Sequence, residues 1–191
     1  ITIKEFFTEG GADYDRIAPT PALGAELLEE DGIVHVVMEL LEGQELVDAI
    51  TDVGAYDEGQ SQVVMSNMLD AIAFMHARGV VHRDLKLENL CLAKPDDLDS
   101  VTLLDFGLAK ALTAREKEEN VCGTLAYVAP EALVAGVYGQ GVDVWALGVA
   151  MHVLLTGAWP FHDDDEDELI DQIVECGLDF DSGEEWECIS S

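Results

Sequence analysis

Three hydrophobic patterns follow one another along the chain: short apolar runs, then a helical period, then a nearly continuous apolar segment. Residues 25–28 and 33–40 are apolar runs on either side of a Glu-Asp-Gly turn, which predicts two strands. In residues 62–77 apolar side chains recur every three or four positions, as in an amphipathic helix, with Gly79 as its C-terminal cap. Residues 142–155 are apolar on almost every side, which predicts a helix buried at the centre of a domain.

The remaining segments are less regular. Glycines and prolines interrupt any period in residues 1–24, and residues 81–101 read as loops with short strands. A few strands followed mainly by helices predict an α+β fold, and the loop-rich middle is where functional side chains are expected.

The net charge of the chain limits the kinds of partner that it is expected to bind. The net charge is −31, from 40 acidic and 9 basic residues. This excess argues against binding nucleic acid or an anionic membrane, and it favours basic peptide partners and bound cations. The alternative is that the charge only maintains solubility or reflects a salty habitat. No apolar run reaches the roughly 18 residues that a membrane span needs.

The 4 cysteines contain no Cys-x-x-Cys pair and no zinc-ligand spacing. They are therefore expected to be thiols in a reducing compartment, which favours a cytoplasmic (intracellular) location.

Three motifs carry the candidate chemistry. Residues 82–89 read His-Arg-Asp-Leu-Lys-Leu-Glu-Asn, residues 105–107 read Asp-Phe-Gly, and residues 129–131 read Ala-Pro-Glu. In this order and at these separations the motifs resemble the protein kinase family, from about residue 25 to the last residue. The resemblance implies a two-lobe kinase fold, with residues 1–41 as part of a β-rich N-lobe and residues 42–191 as part of a mainly helical C-lobe.

The resemblance also implies an activity and its catalytic residues. The activity would be transfer of the γ-phosphate of ATP to Ser or Thr hydroxyls of proteins, with Mg²⁺ as metal. Asp84 would accept or orient the proton of the acceptor hydroxyl, and Lys86 would neutralise charge on the transferred group. Thr124 would bridge these two side chains. Asn89 and Asp105 would bind Mg²⁺, since both supply oxygen ligands.

A nucleotide site follows from the same resemblance. Met38 would be the gatekeeper residue, and the backbones of Glu39 and Leu41 would pair with adenine. Glu45 would lie near the ribose and near a basic substrate residue, and Cys91 would lie under the adenine ring.

Several of these residues have simpler interpretations. Glu88 belongs to the same predicted binding set, although surface charge is an equal alternative for Glu88 and for Glu45. Asp143 would hydrogen-bond the catalytic-loop backbone, and capping of the helix that begins there is a simpler role compatible with this one.

Further residues indicate which subgroup of protein kinases the chain resembles. Lys86 and the Gly-Thr-x-x-Tyr pattern of residues 123–127 resemble serine/threonine kinases. Residues 37–40 (Val-Met-Glu-Leu, the predicted hinge), residues 154–161 and residues 185–190 resemble the calcium/calmodulin-dependent group, whose members often prefer basic residues near the acceptor.

The chain also departs from the family pattern. It contains no Gly-x-Gly-x-x-Gly loop and no Val-Ala-x-Lys strand before residue 25, and it stops before the last C-lobe helices. We therefore expect a domain truncated at both ends that is inactive alone. A buried Glu131 without its usual arginine would also make it unstable. The alternative function is a pseudokinase or scaffold that binds protein partners without catalysis.

Overall fold

In the computed structural model the chain forms two compact units, Ile1–Glu42 and Gly43–Ser191. In residues 2–7, 26–30 and 33–38 only the backbone is described. The described residues are 2–7, 26–30, 33–38, 40–112, 122–135, 139–178, 186 and 189.

The first unit contains an antiparallel sheet of β1 (Thr2–Phe7), β2 (Glu26–Glu30) and β3 (Ile33–Met38), in the order β1-β3-β2. Glu26 pairs with Val37, and Thr2 pairs with Met38. The two predicted strands are confirmed with slightly different ends. Strand β1 was not predicted, because its partner lies far along the chain and local pattern carries no record of that pairing.

The second unit begins with α1 (Leu46–Val53) and α2 (Glu58–His76). The helix predicted over residues 62–77 starts earlier because Asp57 and Gln60 form a capping box. The Asp57 carboxylate accepts the Gln60 N–H at 2.8 Å, and the Gln60 side chain accepts the Asp57 N–H at 3.1 Å. The predicted cap is also displaced: Ala77 caps the helix, and Gly79 lies beyond it at φ 73°.

Two short pairs of antiparallel strands hold the loop-rich middle. Strand β4 (Val80–Val81) pairs with β7 (Lys110–Ala111), and β5 (Leu90–Leu92) pairs with β6 (Val101–Leu103). The segment between β4 and β5 is the predicted catalytic loop, so both of its ends are fixed by strand pairing.

Three further helices complete the described part of this unit: α3 (Pro130–Ala135), α4 (Gly141–Thr156) and α5 (Glu166–Glu175). Helix α4 ends at Gly157, whose φ of 71° suits a left-handed cap. It packs on α2, and Leu147 and Leu154 are among its buried residues in the main core.

Helix α4 is less enclosed than its sequence predicts. Val144 is 54% exposed and Met151 is 44% exposed, so one face of the helix is uncovered in this chain. The predicted buried helix therefore lies in the main core, but its burial does not extend to this face. Composition reports how apolar a helix is, but not which neighbours cover it.

Glu131 is exposed, so the predicted buried, unpaired carboxylate is also wrong. Because this carboxylate stays in contact with water, it does not incur the desolvation cost on which the predicted instability rested.

Candidate active site

Asp143, in the first turn of α4, anchors the catalytic loop. Its carboxylate is 1% exposed and accepts the backbone N–H groups of His82 at 2.9 Å and Arg83 at 3.0 Å. The predicted bonds to the loop backbone are thus confirmed. The alternative of helix capping is not supported, because the N-cap residue is Gln140.

The loop needs this anchor because its backbone is strained. Arg83 has a φ of 70°, which is unfavourable for a residue with a side chain. The Asp143 carboxylate holds the peptide groups on either side of the strained bend. The adjacent Asp84 is thereby fixed in direction.

His76, at the end of α2, completes this anchor. Its ring Nε2 lies 2.7 Å from Asp143 Oδ2, and its backbone carbonyl accepts the Gln140 side-chain N–H at 2.8 Å. The sequence reasoning missed His76. The only available signal was a histidine in the last helical turn before the loop.

Three predicted catalytic residues, Lys86, Asn89 and Thr124, contact the fourth, Asp84. Asp84 Oδ1 accepts the Thr124 backbone N–H at 3.1 Å and the Thr124 hydroxyl at 3.2 Å. Lys86 Nζ donates to Thr124 Oγ1 at 2.9 Å and lies 3.3 Å from Asp84 Oδ2. Asn89 Nδ2 donates to the Asp84 carbonyl at 2.8 Å and to Oδ2 at 3.3 Å. The Asp84 carboxylate therefore joins the catalytic loop to the segment that contains Thr124.

Asp105 follows the β5–β6 hairpin, close to Asn89. The Leu104 N–H donates to the Asn89 carbonyl at 2.7 Å, which brings the two predicted metal ligands to the same end of the hairpin. Asp105 is exposed and has a φ of 56°, and its carboxylate accepts the Gly107 N–H at 3.0 Å.

These groups fit a magnesium site. The Asn89 side chain uses its N–H₂ on Asp84, so its carbonyl oxygen can face a metal, and Asp105 presents an exposed carboxylate. Mg²⁺ usually takes one or two protein carboxylates and completes its shell with water and phosphate oxygens. Within the described segments no cluster of three or more His, Cys, Asp or Glu residues could hold a metal ion.

Gly123 lies where the Thr124 segment crosses the catalytic loop. Its φ is 104°, and a Cβ there would lie 2.7 Å from the Arg83 carbonyl oxygen. Only glycine suits this close, left-handed crossing.

We therefore expect Gly123→Ala to separate Thr124 from Asp84, lowering stability by about 1–3 kcal/mol and reducing activity more than stability accounts for. Urea unfolding and a phosphate-transfer assay would measure the two effects. Gly148→Ala is the matched control, since a Cβ at this helical position meets nothing within 4 Å. Equal behaviour of the two variants would contradict the expectation.

His82 fills the space beneath the loop. It is fully buried, contacts the Phe106 ring edge-on at 5.1 Å, and has Nε2 3.3 Å from the Leu104 carbonyl. Burial lowers the pKa of His82, although the Asp143 carboxylate opposes this effect. The ring therefore stays neutral and binds Leu104 as a donor.

The lowered pKa of His82 predicts acid sensitivity. Below about pH 6.5 the unfolded chain binds a proton at this histidine that the folded chain does not, so the free energy of unfolding should fall as the pH drops. In His82→Gln this dependence should be weaker between about pH 6.5 and pH 5. Urea unfolding across that range measures it, and equal slopes for both proteins would exclude the effect.

The predicted nucleotide residues are only partly described. Glu45 is exposed and forms a β-bridge with Cys91 in the second unit. Cys91 is buried, and burial, with the Glu45 carboxylate as a smaller cause, raises the pKa of its thiol. Met38 ends β3 and Leu41 is half-buried in the first unit, whereas Glu39 lies outside the described residues.

Tyr127 contacts the catalytic loop at Leu87 and Glu88. Its buried hydroxyl accepts the Leu87 N–H at 3.2 Å and lies 3.5 Å from Glu88 Oε2. Tyr127 was part of a predicted motif, but no role was assigned to it.

Comparison with known proteins identifies the class. A carboxylate, a lysine and an asparagine on one loop, beside an Asp-Phe-Gly turn, form the core of this site. The family described as "Protein kinase domain" matches residues 24–190. The chain therefore belongs to the protein kinase family, and the predicted α+β, protein-kinase-like fold is confirmed.

Similar proteins narrow the group. The chain is 42% identical over 154 residues to calcium/calmodulin-dependent protein kinase type 1B of Rattus norvegicus, which covers 81% of this chain and 45% of the relative. It is 41% identical over 157 residues to calcium/calmodulin-dependent protein kinase type 1 of Macrobrachium nipponense, and this alignment covers 82% of the chain and 45% of the relative. It is 40% identical over 171 residues to human serine/threonine-protein kinase H1, covering 87% and 39%.

The predicted resemblance to the calcium/calmodulin-dependent group is thus confirmed. The chain spans less than half the length of these relatives. Among the described helices, none is long and apolar enough to cross a membrane.

Proposed function

We propose that the protein is an ATP- and Mg²⁺-dependent serine/threonine kinase acting on protein substrates. One observation carries this proposal: Asp84, Lys86 and Thr124 form a single network in which every contact is between 2.9 and 3.3 Å. The network holds a carboxylate and a cation side by side, and phosphoryl transfer needs these two groups beside the hydroxyl of the substrate.

The two Asp84 oxygens have different tasks in this proposal. Oδ1 is held by both Thr124 donors, so it fixes the orientation of the carboxylate. Oδ2 has two longer contacts of 3.3 Å, to Lys86 and Asn89, and retains capacity for the proton of a substrate hydroxyl. The Lys86 ammonium contacts both Asp84 and Thr124 and offsets negative charge near the acceptor hydroxyl of the substrate.

Asn89 and Asp105 would hold the metal, while Met38, Glu39, Leu41, Glu45, Glu88 and Cys91 would surround the nucleotide. Bound Mg²⁺-ATP supplies the phosphoryl group and a cation that neutralises its charge. The buried Cys91 would present an uncharged surface to the base, because its raised pKa keeps the thiol protonated.

The substrates are proposed to carry basic residues near the acceptor. Glu45 and Glu88 are exposed beside the loop, and the whole chain carries a net charge of −31. The same charge disfavours nucleic acid and anionic membranes as partners. The location is proposed to be intracellular, because the free thiols of Cys91 and Cys176 are typical of a reducing compartment.

Salt should weaken substrate use if this charge attracts the peptide. We expect kcat/KM for a basic peptide to fall about tenfold between about 50 and 500 mM KCl, mainly through KM. For a neutral peptide the change should be less than about twofold. Parallel losses for the two peptides would instead mean that salt acts on the enzyme itself.

The direct test is transfer of ³²P from Mg²⁺-ATP to a basic serine peptide by the product of the complete coding sequence. We expect transfer that requires Mg²⁺ and labels Ser or Thr but not Tyr. A folded protein that binds the peptide but transfers no phosphate would overturn the proposal and support a scaffold.

A further inference from the structure

Gln140 stands at the N-cap position of α4, but its side chain does not cap this helix. Its backbone has a helical φ of −59° and ψ of −23°, and its side chain makes no hydrogen bond to the first turn. The amide instead donates to the backbone carbonyl of His76, at the end of α2, at 2.8 Å. Glutamine is not among the residues favoured at an N-cap. A departure from local preference of this kind is typical of functional sites.

This contact completes the hydrogen bonding of the last carbonyl of α2. The carbonyl groups at the C-terminal end of a helix have no partner within the helix. The His76 carbonyl accepts the Gly79 N–H at 3.0 Å and the Gln140 N–H at 2.8 Å. Both lone pairs of this oxygen are therefore used, and the backbone is held at the point where the chain leaves the helix.

The ring of the same histidine is held by the same turn of α4. His76 Nε2 lies 2.7 Å from Asp143 Oδ2, and because an ionised carboxylate only accepts, this nitrogen is the donor. Gln140 and Asp143 are joined to each other, since the Asp143 N–H donates to the Gln140 carbonyl at 3.2 Å. The backbone and the ring of His76 are thus fixed by two side chains with a constant separation.

The catalytic loop depends on the oxygen that binds this ring. Asp143 Oδ2 also accepts the His82 N–H at 2.9 Å, so the ring and the loop share one acceptor. The His76 side chain is 15% exposed and that of Asp143 is 1% exposed, so the ring is the less enclosed of the two. A displacement of His76 would therefore change the position of the oxygen that the loop needs.

We propose that Gln140 is a positioning residue for phosphate transfer. Its role is indirect: the contacts run from its amide to the end of α2, from the His76 ring to Asp143, and from Asp143 to the catalytic loop. The inference rests on the proposed kinase function. It adds a residue that belongs to none of the three sequence motifs to the groups on which the rate depends.

The experiment uses the product of the complete coding sequence. Gln140→Glu keeps the shape of the side chain and removes its donor, and Gln140→Met removes its polarity as well. Each substitution is also combined with His76→Ala, which keeps the backbone carbonyl but lacks the ring. Gln62→Glu, at an exposed position of α2, is the matched control.

Three measurements are made on each variant. Steady-state kinetics gives kcat and KM for ATP and for a serine peptide, and urea unfolding gives the folded fraction. In protein labelled with ¹⁵N-histidine, NMR follows the exchange of the His76 Nε2 proton with water, which reports the contact with Asp143 independently of transfer. The signal is assigned by its loss in His76→Ala.

We expect kcat to fall about threefold to tenfold in Gln140→Glu and Gln140→Met, with KM changed by less than about twofold. Gln140→Glu should remain folded, because a carboxylate at the start of α4 is favoured by the helix dipole. In the His76→Ala background the same substitutions should change kcat by less than about 1.5-fold, since the ring through which Gln140 acts is absent. The His76 proton should exchange at least about threefold faster in both Gln140 variants, and Gln62→Glu should match wild type.

Two results would overturn the inference while transfer itself stands. One is an equal loss of kcat with and without the His76 ring, and the other is an unchanged exchange rate of the His76 proton in the Gln140 variants. Faster exchange in a folded protein that transfers no phosphate would support the positioning of the ring by Gln140 and refute the kinase proposal.

Discussion

Asp84→Asn is expected to lower the rate of phosphate transfer by about 10²–10⁴-fold, with little change in peptide binding. The amide keeps the shape of the side chain and can still accept from Thr124, but it loses the charge opposite Lys86 and the capacity to take a proton. The loss should therefore appear in kcat and not in KM.

Steady-state kinetics on a basic serine peptide, with urea unfolding of the same preparations, measures this expectation. Asp164→Asn is the matched control, because Asp164 is exposed in the loop before α5. If Asp84→Asn kept more than about a tenth of wild-type kcat, Asp84 could not be the proton acceptor, and the carboxylate would only position its neighbours.

Asp143→Ala is expected to reduce the free energy of unfolding by about 3–5 kcal/mol. The substitution removes the acceptor of two backbone N–H groups, at His82 and Arg83, and leaves the His76 ring without its partner. Because the two hydrogen bonds that hold the strained bend at Arg83 would be lost, transfer should fall strongly even in the molecules that remain folded.

Asp143→Asn separates charge from hydrogen bonding. The amide carbonyl can still accept one of the loop N–H groups, so we expect a smaller loss of stability than in the alanine variant, on the order of 1–3 kcal/mol. Urea unfolding and kcat are compared for both. Wild-type kcat in a folded Asp143→Ala protein would show that the loop keeps its shape without the anchor.

The sequence was sufficient to predict elements with a local signal. The strands around residues 31–32 and the apolar helix α4 follow from local patterns, and the capping box explains why α2 begins earlier than its apolar period indicates. The grouping of Asp84, Lys86, Asn89 and Thr124 followed from motif resemblance, since residues forty positions apart have no local signal that they meet.

Features that depend on distant neighbours could not be predicted. The contact of His76 with Asp143 joins residues that are 67 positions apart, and the edge-on contact of Trp159 with Tyr127 joins two loops. The exposure of Glu131 was also missed, because burial depends on what packs against a helix and not on the helix sequence.

The single carboxylate of Asp143 has a consequence for the folding of the second unit. The start of α4 supplies this carboxylate, which contacts the His76 ring at the end of α2 and accepts the His82 and Arg83 N–H groups of the loop, so no pair of these segments can form the loop geometry alone. A partly folded chain, for example one still emerging from the ribosome with α4 unformed, would carry every catalytic side chain and yet hold none of them in place. Such an intermediate would have no stray activity, and the appearance of phosphate transfer would mark the last step of assembly of this unit.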